Sequence, residues 1–225
     1  MLSSLLWSSC STRKLQANEA LLVRNNVIGA ADGVQQEEAA TYIRQKPNGK
    51  FFGVLRFNLF FYNIANNGKP RVYKQKLKNI GEAPVILDSV QSAYSAKQIN
   101  QYLFSKGYFN NTVDFKTKIK HKKAKVDYII TLNKPYKIDS ISYIIVDNAI
   151  DSIYKSSGGE SLLKRGDNYD ENILQQEQER IYVTMRNKGY YKFLRQYITY
   201  KIDSGYQNNT VSLFLKIENP PNKNK

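Results

Sequence analysis

The sequence contains a single cysteine, Cys10, and a single histidine, His121, and this scarcity excludes whole classes of active site. Two such residues cannot build a zinc site of the Cys/His type. A Ser-His-Asp or Cys-His catalytic arrangement would need His121, which lies in the lysine-rich run 120–125 and is predicted to occupy a solvated turn. The sequence also lacks a GxxxxGK[ST] phosphate loop and a GxGxxG dinucleotide motif. We therefore predict a protein that is not an enzyme and that uses no cofactor and no metal.

Long hydrophobic runs are also missing. The most apolar window, residues 51–64, is interrupted by Arg56, Asn58 and Asn63. A helix that spans a membrane needs ~20 predominantly apolar residues, so none is predicted after Cys10. The chain is expected to be soluble beyond its first residues, or to be anchored by a lipid alone.

The first ten residues are apolar and rich in small side chains up to Cys10, after which the chain turns polar. Small residues before a cleavage point are typical of a secretory signal. The run Leu-Leu-Trp-Ser-Ser-Cys of residues 5–10 resembles a bacterial lipobox. This resemblance implies that residues 1–9 are removed and that Cys10 carries a lipid. The alternative is an unmodified cysteine in a disordered leader.

Two parts of the chain repeat each other. Residues 103–109 (LFSKGYF) match residues 185–191 (MRNKGYY) at an offset of 82, and residues 126–132 match residues 211–217 at an offset of 85. The extra residues fall in a turn, where insertions are tolerated. Self-similarity of this length indicates two copies of one small domain.

Both copies predict the same order of elements. In the second copy Asp170 is a candidate N-cap, apolar residues follow at helical spacing, and Lys188-Gly189 ends the helix because glycine adopts the left-handed C′ conformation. Two strands with alternating apolar residues follow in each copy, and a strand over 136–146 precedes the second pair of helices. The predicted unit is therefore β-α-α-β-β, and the fold class is α+β.

The second helix of each copy ends in a glycine followed by two aromatic residues, Gly107-Tyr108-Phe109 and Gly189-Tyr190-Tyr191. A β-α-α-β-β unit with this element resembles the POTRA (polypeptide-transport-associated) domain, and the resemblance covers the whole chain in order. Several phrases are similar to the lipoprotein (TamA-like) branch of the BamA/TamA family of outer-membrane assembly proteins, at residues 10–15, 19–22, 43–48, 80–88 and 179–181. The resemblance implies that these six glycine and aromatic residues form a structural motif, with aromatic side chains packed beneath the sheet.

The resemblance also implies tandem POTRA-like domains, each a small mixed sheet packed on two helices. The expected division is a leader and linker over 1–18, a degenerate POTRA-like domain over 19–69, POTRA-like domains over 70–135 and 136–219, and a linker over 220–225. In that family a β-barrel in the outer membrane follows the POTRA domains, and the resemblance implies that this chain is the periplasmic arm without its barrel. The chain is therefore expected at the periplasmic face of the outer membrane, held by the lipid and by such a barrel.

The formal net charge is +15, from 34 Lys and Arg against 19 Asp and Glu. Such a charge suits nucleic acid, an anionic membrane face or an acidic partner, and it is also common in lysine-rich proteomes. Lysines at positions 116, 118 and 120 alternate with Phe115, Thr117 and Ile119. This alternation is more typical of the wet face of a strand than of a phosphate site, and lysine on an edge strand also prevents unwanted pairing.

Two functions of different class fit these observations. The first is a periplasmic arm that binds unfolded outer-membrane protein clients, and subunits of an assembly machinery, by adding their extended segments to exposed sheet edges. The alternative is a basic RNA-binding protein, with nucleic acid the less expected partner. Binding that falls steeply with added salt would favour RNA. The binding edge is either the strand that opens each unit or the strand that follows the Gly-Tyr element.

Overall fold

The computed structural model describes residues 15–30, 33–49, 81–157, 161–205 and 208–218. Within these ranges the chain forms six β-strands and four α-helices. In chain order they are β1 (Leu21–Ile28), α1 (Gly33–Thr41), α2 (Ser89–Ser105), β2 (Thr112–Lys120), β3 (Lys123–Thr131), β4 (Lys137–Ile145), α3 (Asn148–Ser156), α4 (Glu171–Asn187), β5 (Ile198–Gly205) and β6 (Thr210–Ile217). A short 3₁₀ helix, Arg195–Tyr197, leads into β5.

The chain divides into two compact units, Met1–Asn100 with Thr112–Leu132 and Gln101–Asn111 with Asn133–Lys225. The first unit holds a three-stranded sheet in the order β1-β3-β2, in which β1 is parallel and β2 antiparallel to β3. The turn between β2 and β3 consists of His121 and Lys122, with φ of 50° and 56°. Positive φ at both central residues is typical of a type I′ turn, whose twist matches that of the strands it joins.

One face of the central strand β3 is buried in the first unit. Ala124, Val126, Tyr128 and Ile130 alternate along this face, and none of them is more than 4% exposed. Side chains two residues apart point to the same side of a strand. The expected alternation of apolar residues is therefore present in this strand, with one side of it buried.

The second unit repeats this topology with a sheet in the order β4-β6-β5, in which β4 is parallel and β5 antiparallel to β6. Helix α4 covers one face of the sheet with its apolar side chains. Ile181 and Met185 pack in one buried cluster with Leu215 of β6, and Leu174 packs in another with Leu213. The apolar spacing that predicts the helix thus also forms the core.

The helix boundaries reproduce the sequence repeat. Helices α2 and α4 both have 17 residues, and both their first and their last residues are 82 positions apart. The predicted N-cap of α4 is confirmed, because the carboxylate of Asp170 accepts the N–H of Asn172 at 2.9 Å. The predicted α+β fold, with tandem β-α-α-β-β units and a small mixed sheet in each, is confirmed.

The N-terminal part of the chain is organised differently from the predicted division. The prediction assigns residues 19–69 and 70–135 to separate domains. In the structure β1 pairs in parallel with β3, from Leu21 beside Lys123 to Ile28 beside Ile129, so β1 and α1 belong to the same unit as β2 and β3. The physical reason is that a two-stranded hairpin is marginally stable alone. β1 adds a third, parallel strand to the hairpin of β2 and β3, although it is distant from them in the sequence. The second unit's sheet lies within the predicted range 136–219.

Candidate functional site

The glycine-aromatic element closes helix α2 with a pair of backbone hydrogen bonds. Gly107 has a φ of +86°, and its N–H donates to the carbonyl of Phe104 at 3.0 Å. The N–H of Tyr108 donates to the carbonyl of Leu103, also at 3.0 Å. These two bonds define a Schellman motif, which satisfies carbonyl groups that the end of a helix leaves without partners.

Helix α4 ends in the same way. Gly189 has a φ of +93°, its N–H donates to the carbonyl of Arg186, and the N–H of Tyr190 donates to the carbonyl of Met185, each at 3.1 Å. The left-handed conformation expected of both glycines is therefore present. In each copy the tyrosine that follows contributes its N–H to the cap.

The aromatic residue after the first tyrosine lies in an aromatic cluster of the second unit. The ring centroid of Phe109 is 4.5 Å from that of Phe104, 4.7 Å from that of Tyr136 and 5.2 Å from that of Tyr169. Tyr136 and Tyr169 are buried, and burial raises the pKa of Tyr169 to about 12. Phe109 therefore packs against buried rings, while Tyr108 beside it is half-buried.

The corresponding residue of the second copy does not pack in this way. Tyr191 is 74% exposed, whereas Phe193 is fully buried and joins the cluster of Ile181 and Met185. A tight turn, in which the N–H of Phe193 donates to the carbonyl of Tyr190 at 2.9 Å, separates the two side chains. Tyr190 itself is half-buried against that cluster. Phe193, which the repeat did not single out, therefore takes the core position.

The outer edge of β1 is covered where the strand begins. A short antiparallel bridge joins Leu21 to Ile86. The N–H of Leu22 donates to the carbonyl of Val85, and the N–H of Leu87 donates to the carbonyl of Ala20, each at 2.8 Å. The segment before α2 thus bonds to the edge that a new strand would need.

One side chain bonds to this edge further along β1, and the side chain of Asn25 links β1 to the segment after α1. The amide of Gln36 on α1 donates to the carbonyl of Val27 at 2.6 Å, and the amide of Asn25 donates to the carbonyl of Gln45 at 2.6 Å. A hollow of about 820 Å³ lies along the same part of β1. The edge of β1 is therefore bonded by its own unit at its first residues and at Val27.

The edge of β4 in the second unit is covered in the same manner. The N–H of Ile138 donates to the carbonyl of Asp167 at 2.8 Å, and the N–H of Gly166 donates to the carbonyl of Ile138 at 2.7 Å. A bridge also joins Lys137 to Asn168. In both units the segment before the second helix protects the opening strand, which is one way proteins block edge-to-edge pairing.

Strand β2 has an outer edge that no other strand in the described part of the chain pairs with. In a two-residue hairpin the residues that flank the turn form a hydrogen-bonded pair, here Lys120 and Lys123, and such pairs alternate with non-bonded ones. The backbone groups that point away from β3 therefore belong to Val113, Phe115, Thr117 and Ile119. On β5 the first carbonyl, that of Ile198, accepts the amide of Gln178 at 2.8 Å.

The side chains of β2 alternate between the two faces of the sheet as predicted. Lys116, Lys118 and Lys120 are exposed. Lys118 pairs at 3.0 Å with the carboxylate of Asp127, which also accepts the amide of Asn26 at 2.6 Å. The hydrogen bonds from Asn26 and Lys118 hold the pKa of Asp127 below its usual range.

A buried ion pair that the sequence analysis does not identify lies in the second unit. Glu177 of α4 is fully buried, and its carboxylate accepts two hydrogen bonds from Arg180, at 2.7 and 2.9 Å. It also accepts the hydroxyl of Ser161 and the N–H of Leu162, both at 3.0 Å. Burial raises the pKa of Glu177, but the bonds from Arg180, Leu162 and Ser161 outweigh burial and lower the pKa below its usual range. The carboxylate of Glu177 therefore fastens Ser161 and Leu162 to α4.

The remaining sequence predictions concern a lipid, metals and membrane spans. Cys10 lies outside the described residues, and His121 occupies the β2–β3 turn. The described ranges hold no cluster of three or more His, Cys, Asp or Glu side chains that could bind a metal ion. None of the helices described is both long enough and apolar enough to cross a membrane.

No protein-family model matches the chain, and no curated protein matches it. Solved structures do match. The POTRA1–3 region of the periplasmic domain of Omp85 from Anabaena is 13% identical with a TM-score of 0.40, over 88% of this chain and 61% of that one. The chain is similar to POTRA domains. The POTRA3–5 region of BamA from Haemophilus influenzae is 14% identical with a TM-score of 0.36, over 89% of this chain and 97% of that one.

A third match is BamA from Haemophilus ducreyi lacking POTRA domains 1–3, which is 13% identical with a TM-score of 0.38 over 71% of this chain. The chain spans only 27% of that BamA chain and 61% of the Anabaena one. Membership of the lipoprotein (TamA-like) branch stays a prediction.

Proposed function

We propose that the chain is the periplasmic POTRA arm of an outer-membrane protein assembly or translocation factor, and that it binds extended polypeptide by strand addition. Main-chain hydrogen bonds at a sheet edge bind a segment without demanding a particular sequence. Such binding suits a protein whose partners are unfolded outer-membrane protein clients and subunits of the assembly machinery. The observation that supports it is that each opening strand is bonded by its own unit where it begins, while no strand in the described part of the chain pairs with the outer edge of β2.

Strand β2 is the edge that we assign to the incoming segment. The edges of β1 and β4 are bonded, where each strand begins, to the segments before α2 and α4. On β5 the first carbonyl, that of Ile198, accepts a hydrogen bond from the side chain of Gln178. The nine residues Thr112–Lys120 offer four outward pairs of N–H and C=O groups, which suffices for a short extended segment. In the described part of the chain these groups bond to no other strand.

The proposal is tested by removing one outward donor of β2. Proline lacks the N–H and is tolerated on an edge strand where that group faces solvent. Ile119 is 59% exposed, so substitution there disturbs little packing. A hydrogen bond is worth ~0.5–1.5 kcal/mol, so Ile119→Pro should weaken the binding of a labelled strand peptide from an outer-membrane protein by about three- to tenfold.

The matched control is Ile119→Ala, which removes the same side chain but keeps the N–H and should bind the peptide as the wild type does. Circular dichroism and thermal melting of both variants report whether the fold is kept. If the proline variant unfolds, the same peptide N-methylated at alternate residues blocks the bonds from the partner's side. Unchanged affinity for a folded Ile119→Pro variant, or for the N-methylated peptide, would overturn strand addition at β2.

We also propose that Cys10 carries the lipid that holds this arm at the periplasmic face of the outer membrane. The support is the small-residue run that precedes the only cysteine of the chain. Expression in a bacterial host with labelled palmitate should label the wild type and not a Cys10→Ala variant. Equal labelling of the two proteins would contradict the proposal.

A further inference from the structure

The exposed face of the first sheet carries a row of cations that crosses all three strands. The strand register places Arg24 of β1 beside Lys125 of β3, and Lys125 beside Lys118 of β2. All three residues are exposed, and neighbouring strands are ~4.8 Å apart. The next pair towards the turn, Lys120 and Lys123, is also a pair of like charges.

This arrangement opposes the stability of the sheet, because like charges directly opposite each other on neighbouring strands are unfavourable. The one ion pair found on this face within the described residues joins Lys118 to Asp127, and Asn26 shares that carboxylate. Asp114 lies at the other end of β2, beside Ile129. The face therefore keeps a large excess of positive charge, which points to an anionic partner from outside the unit.

The lysines of β2 lie in register with its uncovered edge. Lys116, Lys118 and Lys120 follow one another at every second residue, or about 6.8 Å apart, on one face of the strand. A segment added to β2 would place every second side chain on this same face, directly opposite or diagonal to one of the lysines. Carboxylates at these positions would meet three ammonium groups, and lysines there would be repelled.

We propose that β2 selects extended segments with Asp or Glu at alternate positions, an inference that rests on the proposed strand addition at β2. The three lysines also disfavour pairing of β2 with β2 of a second copy in the register that sets Lys118 opposite Lys118, since each lysine would then face another. The same charges thus exclude one strand partner and favour another, which is how specificity between similar partners arises.

Two other anionic partners fit this face less well. Proteins that bind single-stranded nucleic acid stack the bases on aromatic side chains. The exposed face of β2 and β3 has none, since its residues are Thr112, Asp114, Lys116, Lys118, Lys120, Lys123, Lys125, Asp127, Ile129 and Thr131. An anionic membrane surface would attract any basic patch and gives no reason for lysines in register with an open edge.

The test uses the full chain and three labelled nine-residue peptides in which threonine alternates with glutamate, glutamine or lysine. At low salt we expect the glutamate peptide to bind about tenfold more tightly than the glutamine peptide, from two or three favourable cross-strand pairs. The lysine peptide should bind most weakly. The preference should shrink but persist when salt is added, because charges at the edge are partly screened while the backbone bonds are not.

The decisive variant is Lys116→Glu/Lys120→Glu, which keeps both Lys118 and Asp127 but places residue 116 opposite Asp127. It should reverse the preference towards the lysine peptide. The matched control is Lys134→Glu/Lys192→Glu, which changes the net charge equally at two exposed lysines of the second unit. The control should keep the preference for glutamate. Melting curves of both variants establish that they are folded.

Three results would overturn the inference. Equal binding of the glutamate and glutamine peptides would remove the charge preference and leave strand addition standing. Binding of none of the three peptides would overturn both proposals. Displacement of the glutamate peptide by an RNA oligomer or by phosphatidylglycerol vesicles, with equal weakening in both double variants, would show a general basic surface instead.

Discussion

The two glycines that end α2 and α4 share a backbone conformation but differ in their surroundings. Their φ angles are +86° for Gly107 and +93° for Gly189. A Cβ atom at Gly107 would lie 2.7 Å from the carbonyl oxygen of Tyr169 and 3.4 Å from that of Tyr136, whereas one at Gly189 would meet nothing within 4 Å. Comparing Gly107→Ala with Gly189→Ala therefore separates the cost of lost space from the cost of the left-handed conformation.

The expected magnitudes follow from these distances. An L-residue in the left-handed region costs ~1–2 kcal/mol, and this applies to both variants. At Gly107 the backbone must also move, because hydrogen bonds hold the three close segments together: Tyr136 N–H to the Gly107 carbonyl at 2.9 Å and Tyr169 N–H to the Tyr136 carbonyl at 2.8 Å. Overpacking of this kind adds ~1–3 kcal/mol. We expect Gly107→Ala to lower the free energy of unfolding by ~2–5 kcal/mol and Gly189→Ala by ~1–2 kcal/mol.

Both glycines belong to the second unit, so one probe reports on both variants. Urea unfolding followed by hydrogen exchange of the α4 amides measures the free energy of unfolding of that unit alone. This avoids treating a chain of two units as a single two-state system. Equal losses in the two variants, or a larger loss in Gly189→Ala, would refute the close approach at Gly107.

Two further predictions concern the second unit. Phe193→Ala should lower the free energy of unfolding by ~3–5 kcal/mol, because the ring is fully buried. Tyr191→Ala should change it by less than ~0.5 kcal/mol, because the ring is 74% exposed. Urea titration of both variants measures these changes, and equal effects would contradict the prediction. Because the folded-state pKa of Glu177 is depressed, its stabilisation should be complete above the unfolded pKa of ~4.3 and be lost as the pH falls below it. Glu177→Gln should therefore be less stable than the wild type at neutral pH, since Arg180 loses its charged partner. As the pH falls, the variant should lose less stability than the wild type does. Parallel acid-unfolding curves of the two proteins would contradict this.

Local features of the fold are well predicted from the sequence. The glycine caps, the Asp170 N-cap and the alternation of Val126, Tyr128 and Ile130 each depend on residues within a few positions of one another, so a short pattern contains the information. The repeat strengthens these predictions, because α2 and α4 had to begin and end at matching positions.

Features set by distant contacts are not predicted in this way. The pairing of β1 with β3 joins segments about one hundred residues apart, and the repeat contains no sign of it. Phe193 rather than Tyr191 fills the core because a turn after Gly189 shifts the inward position by two residues. A signal for the burial of Glu177 does exist in the sequence, since Glu177 lies at helical spacing between Leu174 and Ile181 on the apolar face of α4.

For the candidate site, the sequence predicted the lysine alternation of β2 and two possible binding edges, but not the choice between them. That choice depends on the hydrogen bonds that the opening strands donate to the carbonyls of Val85 and Asp167. These bonds join residues that no short sequence pattern connects. The row formed by Arg24, Lys125 and Lys118 likewise depends on the register of three strands.

The parallel pairing of β1 also imposes an order of events when the first unit folds. β2 and β3 close through a two-residue turn, and hairpins of this kind form within ~1–10 μs. β1 must wait until a loop of about one hundred residues has closed, and contacts that distant in sequence slow folding. We therefore expect β1, the first of these three strands in the chain, to be the last to pair. Until then the edge of β3 that β1 later occupies stays unpaired. Pulsed hydrogen exchange would show this as late protection of the β1 amides.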